Sequence, residues 1–172
     1  MTTNLESLDV SLTTTLIASM RKDNTGMLVE PSAALSATQT VELEFGSGSA
    51  EVNQIYTAAR SLALSTAEEL DLSGILVNPF TGTIAFSAVK ALYIKNNNGH
   101  GEALRIGGAA ANAWVGPFSA GGKYDLPDGE TLLLVNSDAG WDVTADTGDL
   151  LKIEALDDTN ATAYDIAIIG VE

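Results

Sequence analysis

The sequence predicts an all-β protein: an antiparallel β-sandwich, jelly-roll-like, with an N-terminal arm or hairpin. Three observations lead there. Between positions 130 and 171, apolar runs of strand length alternate with turn residues. Leu132-Leu133-Leu134-Val135 stops at Asn136-Ser137-Asp138-Ala139-Gly140, and Trp141-Asp142-Val143 stops before Ala145-Asp146-Thr147-Gly148-Asp149. Leu150-Leu151-Lys152-Ile153 stops before Asp157-Asp158-Thr159-Asn160, and an apolar run from Ala163 to Val171 follows. Short strands so spaced between Gly, Asp and Asn turns belong to sandwiches and barrels. The second observation is composition: sixteen glycines against four prolines suit tight turns, and 45% hydrophobic residues suffice for a core. Aromatics are only 6%, so Leu, Ile, Val and Ala must fill that core. The third is length: 172 residues make one domain, or one domain plus an arm. The expected division is an arm or hairpin over 1–56 and a sandwich over 57–172.

Taken in order, positions 8–20 alternate. Val10, Leu12, Leu16, Ala18 and Met20 share one parity and Ser11, Thr13, Thr15 and Ser19 the other, which predicts a half-buried strand. Asp23-Asn24-Thr25-Gly26 predicts a turn and Met27-Leu28-Val29 a short return strand before Pro31. The small polar stretch 31–39 reads as a linker or loose loop. Val41, Leu43 and Phe45 alternate with Glu42 and Glu44, a strand ended by Gly46-Ser47-Gly48-Ser49. The segment 58–64 fits a helical turn or a strand. Leu62 and Leu64, facing Leu70 and Leu72 across Ser65-Thr66-Ala67-Glu68, favour a strand pair. Asn78-Pro79-Phe80-Thr81-Gly82 predicts a turn, after which Ile84, Phe86 and Ala88 alternate.

Two stretches, 89–94 and 164–171, are apolar on both parities. A small sandwich normally wets one face of each sheet, so these strands need cover on both sides. The N-terminal segment or a neighbouring subunit would supply it, and we therefore expect a homo-oligomer, a trimer being favoured.

Charge narrows the partners. Twenty-three acidic residues against eight basic ones give a formal charge of −15, which repels nucleic acid and anionic lipid. Lys90, Lys95, His100 and Arg105 form the one local basic excess, too weak for direct nucleic-acid binding. Zero cysteines exclude disulfides, thiol catalysis and Cys-based zinc sites. No apolar run approaches membrane-spanning length, and Met1-Thr2-Thr3-Asn4-Leu5-Glu6 has neither a basic nor an apolar signal region, so a soluble protein made in a cytoplasm is expected.

No catalytic constellation accompanies the strands. His100, in Asn96-Asn97-Asn98-Gly99-His100-Gly101, reads as a loop tip without a nucleophile motif. Gly107-Gly108 and Gly121-Gly122 lack the Lys-Ser/Thr of a phosphate loop and read as turns. Asp142, Asp146 and Asp149, like Asp157 and Asp158, read as solvated turn residues; calcium is the alternative, without the regular ligand spacing. Trp114 reads as a core or interface anchor, or else as a carbohydrate platform. No catalytic, cofactor-binding or metal-ligating residue is assigned, and no enzyme is expected.

Several stretches carry a resemblance. They are Leu70-Asp71-Leu72-Ser73-Gly74, Val89-Lys90-Ala91-Leu92-Tyr93-Ile94-Lys95-Asn96 and Gly107-Gly108-Ala109-Ala110-Ala111-Asn112-Ala113-Trp114. The C-terminal part adds Val143-Thr144-Ala145-Asp146-Thr147-Gly148-Asp149-Leu150-Leu151-Lys152-Ile153 and Tyr164-Asp165-Ile166-Ala167-Ile168-Ile169-Gly170. Over roughly 62–171 the chain resembles small virion structural proteins of tailed bacteriophages. The resemblance implies a capsid decoration or cement protein in the virion, bound to the major capsid protein or other virion proteins. Its alternative is a receptor- or glycan-binding module of a spike or tail.

Overall fold

In the computed structural model, residues 7–21, 32–79 and 82–172 are described. The turn expected at 23–26, the return strand at 27–29 and the middle of the turn at 78–82 lie outside them. Two antiparallel sheets face one another. One orders β11 (Thr131–Val135), β8 (Ala88–Asn96), β14 (Thr162–Val171) and β4 (Gln54–Leu62), with the short β12 (Trp141–Asp142) also pairing β8. The other orders β10 (Lys123–Leu126), β9 (Leu104–Gly107), β13 (Leu150–Ala155) and β5 (Ala67–Asp71). The chain is an all-β sandwich. Its eight long body strands change sheet at every step except β9 to β10, which are neighbours.

The core lies between the sheets. Leu92, Ile94, Tyr164, Ile166 and Ile168 from the first meet Leu70, Leu104, Ile106, Leu126, Leu151 and Ile153 from the second. Period-2 alternation along β13 places Leu151, Ile153 and Ala155 inward and leaves Lys152 and Glu154 half-exposed. A small hairpin, β6 (Leu76–Val77) with β7 (Thr83–Ile84), adds Leu76 and Ile84 to this core. Its loop ends are tied by Asn78 N–H donating to Gly82 O at 2.9 Å. At Gly170 the β8–β14 register shifts, and a Cβ there would lie 2.1 Å from Ala88 O, so only glycine fits the bulge.

Ahead of the sandwich stands a two-stranded ribbon, β1 (Val10–Arg21) with β2 (Ser32–Phe45), joined at its base to β3 (Glu51–Val52) by parallel pairing. This corrects one expectation. Residues 32–39 form no linker; they are half of a long strand in full register with β1. Small Ala, Ser and Thr side chains weaken a strand signal because they carry little apolar contrast, yet their backbone pairs as well as any.

A second correction concerns 62–72. Both strands exist, but they do not pair with each other: β4 pairs β14 and β5 pairs β13. The connection between them crosses the sandwich from one sheet to the other. The boundary expected at residue 56 also falls inside β4, whose Tyr56 is buried in the core.

The two-sided strands obtain cover from their own chain. On the outer face of β8 and β14, Ala91 and Ile169 are buried under Leu43 and Val52, with Leu8, Val10, Leu12, Val41 and Ile55 packed around them. The N-terminal segment is therefore the lid of this sheet at its base. Farther along the same face, Tyr93 and Ala167 are half-buried. A neighbouring subunit is not required to explain the apolar residues at 91 and 169.

Candidate docking surface

The ribbon divides along its length. Residues opposite one another in an antiparallel pair share a face. On one face the rungs run Val10–Leu43, Leu12–Val41, Thr14–Gln39, Leu16–Ala37, Ala18–Leu35 and Met20–Ala33. The first two pack on the body, and the Thr14–Gln39 rung marks the exit. Beyond it, every residue over 13–20 and 33–40 is exposed. Leu16 is 56% exposed, Met20 70% and Leu35 53%, large values for apolar side chains gathered on one face. The opposite face is a hydroxyl ladder: Ser11 donates to Glu42 at 2.8 Å, and Thr13–Thr40 and Thr15–Thr38 hydroxyls pair at 3.3 and 3.4 Å. Ile17, 75% exposed, is the large apolar residue on that side.

The same region carries no charge. Neither 11–20 nor 33–41 contains an Asp, Glu, Lys or Arg; charge resumes at Arg21 and Glu42. In a chain of −15 this is an uncharged strip about 30 Å long, from about nine residues at ~3.4 Å each.

The body carries a polar clasp that the sequence pattern did not reveal. Arg60 on β4 donates from the Nε–Nη2 edge of its guanidinium to both carboxylate oxygens of Glu68 on β5, joining the open edges of the two sheets. Tyr164 Oη donates to Glu68 at 2.7 Å, and Arg60 donates to Tyr56 Oη at 3.0 Å. Burial pushes the Glu68 carboxyl up, but hydrogen bonds from Arg60 and Tyr164 outweigh it and hold the group below the ordinary carboxylate range. Burial, then the bond to Glu68, raises the Tyr164 phenol above its usual range. Hydrogen bonding to Glu68 keeps Arg60 more firmly protonated than usual. Tyr56, Arg60 and Glu68, together with Leu70, Ile75 and Val77, line an open notch of about 300 Å³. Arg60 and Glu68 are already each other's partners, so the cluster acts as an inter-sheet clasp, while Glu69 lines the notch from the exposed side. Its members lie far apart in sequence, and no local motif announces them.

The residues singled out by sequence are dispersed. His100 is exposed on its loop, where Asp128 accepts the Gly99 and Gly101 N–H at 2.7 and 2.9 Å. Those two bonds lower the Asp128 carboxyl. Gly107, Gly108 and Gly121 have positive φ. Trp114 is buried in the core, donates Nε1–H to Asp142 O at 3.0 Å and meets Trp141 edge-on at 6.4 Å. Lys90 is 2% exposed and donates to Gly48 O, pinning the turn after β2. Arg105 instead pairs with Asp125 at 2.7 and 2.8 Å on the other sheet. Lys90, Lys95, His100 and Arg105 thus form no common patch.

The acidic turns also need correction. Asp142, Asp146 and Asp158 are exposed, but Asp149 and Asp157 are buried rather than solvated. Asp157 accepts Thr159 N–H, Thr159 Oγ1–H and Asn160 N–H at 2.8 Å, with Asn98 Nδ2 at 3.2 Å. The Thr159 backbone bond leads in lowering its carboxyl. Asp149 Oδ2 accepts Asp146 N–H at 2.7 Å and meets Ser73 Oγ at 2.9 Å, while its Oδ1 has no partner. Both carboxylates replace missing backbone acceptors inside turns, which draws them out of water. Among the described residues, no three His, Cys, Asp or Glu side chains are grouped to hold a metal ion, and no helix is long and apolar enough to cross a membrane.

Scans against protein-family models, curated proteins and solved structures return no match to this chain.

Proposed function

We propose that this chain is a non-catalytic structural protein that docks onto a larger assembly through its β1–β2 ribbon. The observation that carries the reading is the uncharged ribbon face of Leu16, Ala18, Met20, Ala33, Leu35 and Ala37, exposed beside a body whose polar clusters are internally satisfied at the Arg60–Glu68 clasp. An isolated two-stranded ribbon is marginal in water, so a long one with an apolar face is best explained by a partner.

Within that class, a virion decoration or cement protein of a tailed phage fits best. Its partners would be the major capsid protein or other virion proteins, and its place the virion. Two things support this: the resemblance over 62–171, and the strand order, in which alternation between two four-stranded sheets matches a jelly roll. Jelly rolls serve viral capsids and lectins alike, so the second support is analogy of fold. A cement subunit adds buried area between shell subunits and needs no chemistry.

Co-sedimentation of the protein with purified phage shells that lack it tests the reading. Saturable binding that raises the shell's melting temperature is the expected result. Absence of binding overturns it, and selective capture on a glycan array would support a spike or tail module instead.

A further inference from the structure

We propose that Asp149, Asp71 and Ser73 form a calcium site that ties the 145–149 turn to the end of β5. The site is separate from the ribbon and from the docking role proposed above. It is marked by a difference between the two buried aspartates. Asp157 is filled on both oxygens: Oδ1 accepts from Thr159 and Asn160, and Oδ2 accepts from Asn98. Asp149 is 4% exposed, and only its Oδ2 is engaged. Among the described residues, its Oδ1 is the one buried side-chain nitrogen or oxygen without a partner. A carboxylate oxygen left so is costly, and native folds fill such positions.

The surroundings are short of protons and rich in negative charge. Ser73 Oγ lies 2.9 Å from Asp149 Oδ2 and 2.9 Å from Asp71 Oδ1, yet a hydroxyl has one proton to give. One of those two contacts therefore sets lone pair against lone pair. The two carboxylate oxygens are also no more than twice that distance apart, with no cation paired to either in the described structure. A water at Oδ1 would supply a donor but leave the like charges facing; a cation answers both needs. The backbone fixes the pair in place. Asp71 is opposite Leu150 in the β5–β13 register, and Leu72 N–H donates to Asp149 O at 2.9 Å.

The donor set names the ion. All the ligands are oxygen, the chain has no cysteine, and His100 sits on the separate loop held by Asp128, so a hard cation fits. Calcium draws oxygens to about 2.3–2.6 Å in irregular shells, whereas magnesium demands a near-ideal octahedron. Two carboxylates and one hydroxyl, completed by water, correspond to a Kd of about 10⁻⁴–10⁻³ M.

Isothermal titration of the chelator-treated full chain with calcium chloride, beside melts at ionic strength matched with sodium chloride, tests this. One equivalent should bind, and calcium about 100-fold above its Kd should raise the melting temperature by about 5–10 °C beyond sodium. Asp149→Asn, nearly isosteric, and Asp71→Asn, at a half-exposed position, should each weaken binding at least about tenfold. Asp142→Asn and Asp158→Asn, at exposed turns, should leave it unchanged. Circular dichroism shows which variants fold, and Asp71→Asn carries the test if Asp149→Asn does not. No saturable binding, a calcium shift no larger than sodium's, or equal weakening in all four variants overturns the proposal.

Discussion

The ribbon and the sandwich obey opposite rules with the same alternating pattern. In β13 the alternation Leu151, Ile153, Ala155 is inward, and those residues are 2% exposed or less. In β1 the alternation Leu16, Ala18, Met20 is just as regular, yet each is exposed. The sandwich packs the facing apolar sides of its two sheets against each other. The ribbon is packed in this way for two rungs and then runs out of protein. Period-2 alternation states that a face is to be covered, and only the tertiary arrangement states whether the chain itself supplies the cover.

Truncation probes this contrast at its largest. Removing residues 1–56 takes away Val52, Tyr56 and the start of β4, and should leave no cooperative unfolding transition. Shortening the ribbon by linking Leu12 to Val41 through an Asn-Gly turn should leave the melting temperature nearly unchanged while abolishing binding to the shell. If the first truncation melts cooperatively, the N-terminal base is not part of the body.

Single side chains sharpen it next. Ile94→Ala, at a fully buried core position, should cost about 2–5 kcal/mol in urea unfolding. Leu16→Ala, the same kind of truncation on the exposed ribbon, should fall within about 0.5 kcal/mol.

The clasp gives a smaller, pH-dependent effect. Tyr164→Phe removes one hydrogen bond to Glu68 and should cost about 1 kcal/mol. Glu68, Asp157 and Asp128 all have carboxyls lowered in the fold. Below the ordinary carboxylate range, the unfolded chain therefore binds protons that the folded chain resists. Stability should be full above that range and fall as pH drops through the lowered folded values. Glu68→Gln should flatten the acid limb of melting temperature against pH.

Sodium should matter least. Added sodium chloride should shift melting slightly, and alike in the unsubstituted chain and in Asp149→Asn, because a monovalent salt acts on surface charge by screening.

Much of the sandwich was legible. The strands over 130–171 were readable because each is a short apolar run closed by Asp, Asn or Gly, and local turn chemistry survives folding. The need for cover on both faces of 89–94 and 164–171 was readable for the same reason. β2 was hidden because Ala33, Ala34, Ser36, Ala37 and Thr38 offer no hydrophobic contrast.

Sequence alone therefore determined the class: strand period, turn positions, a core without cysteine, and a strongly acidic surface. The tertiary structure decided what each apolar face meets. It sent β4 and β5 to different sheets, brought Arg60, Glu68 and Tyr164 into one clasp, buried Asp149 and Asp157, and ended the body at the Thr14–Gln39 rung. Strand periodicity is set by backbone geometry within a few residues, whereas pairing and cover depend on contacts across the whole chain, which no local pattern encodes.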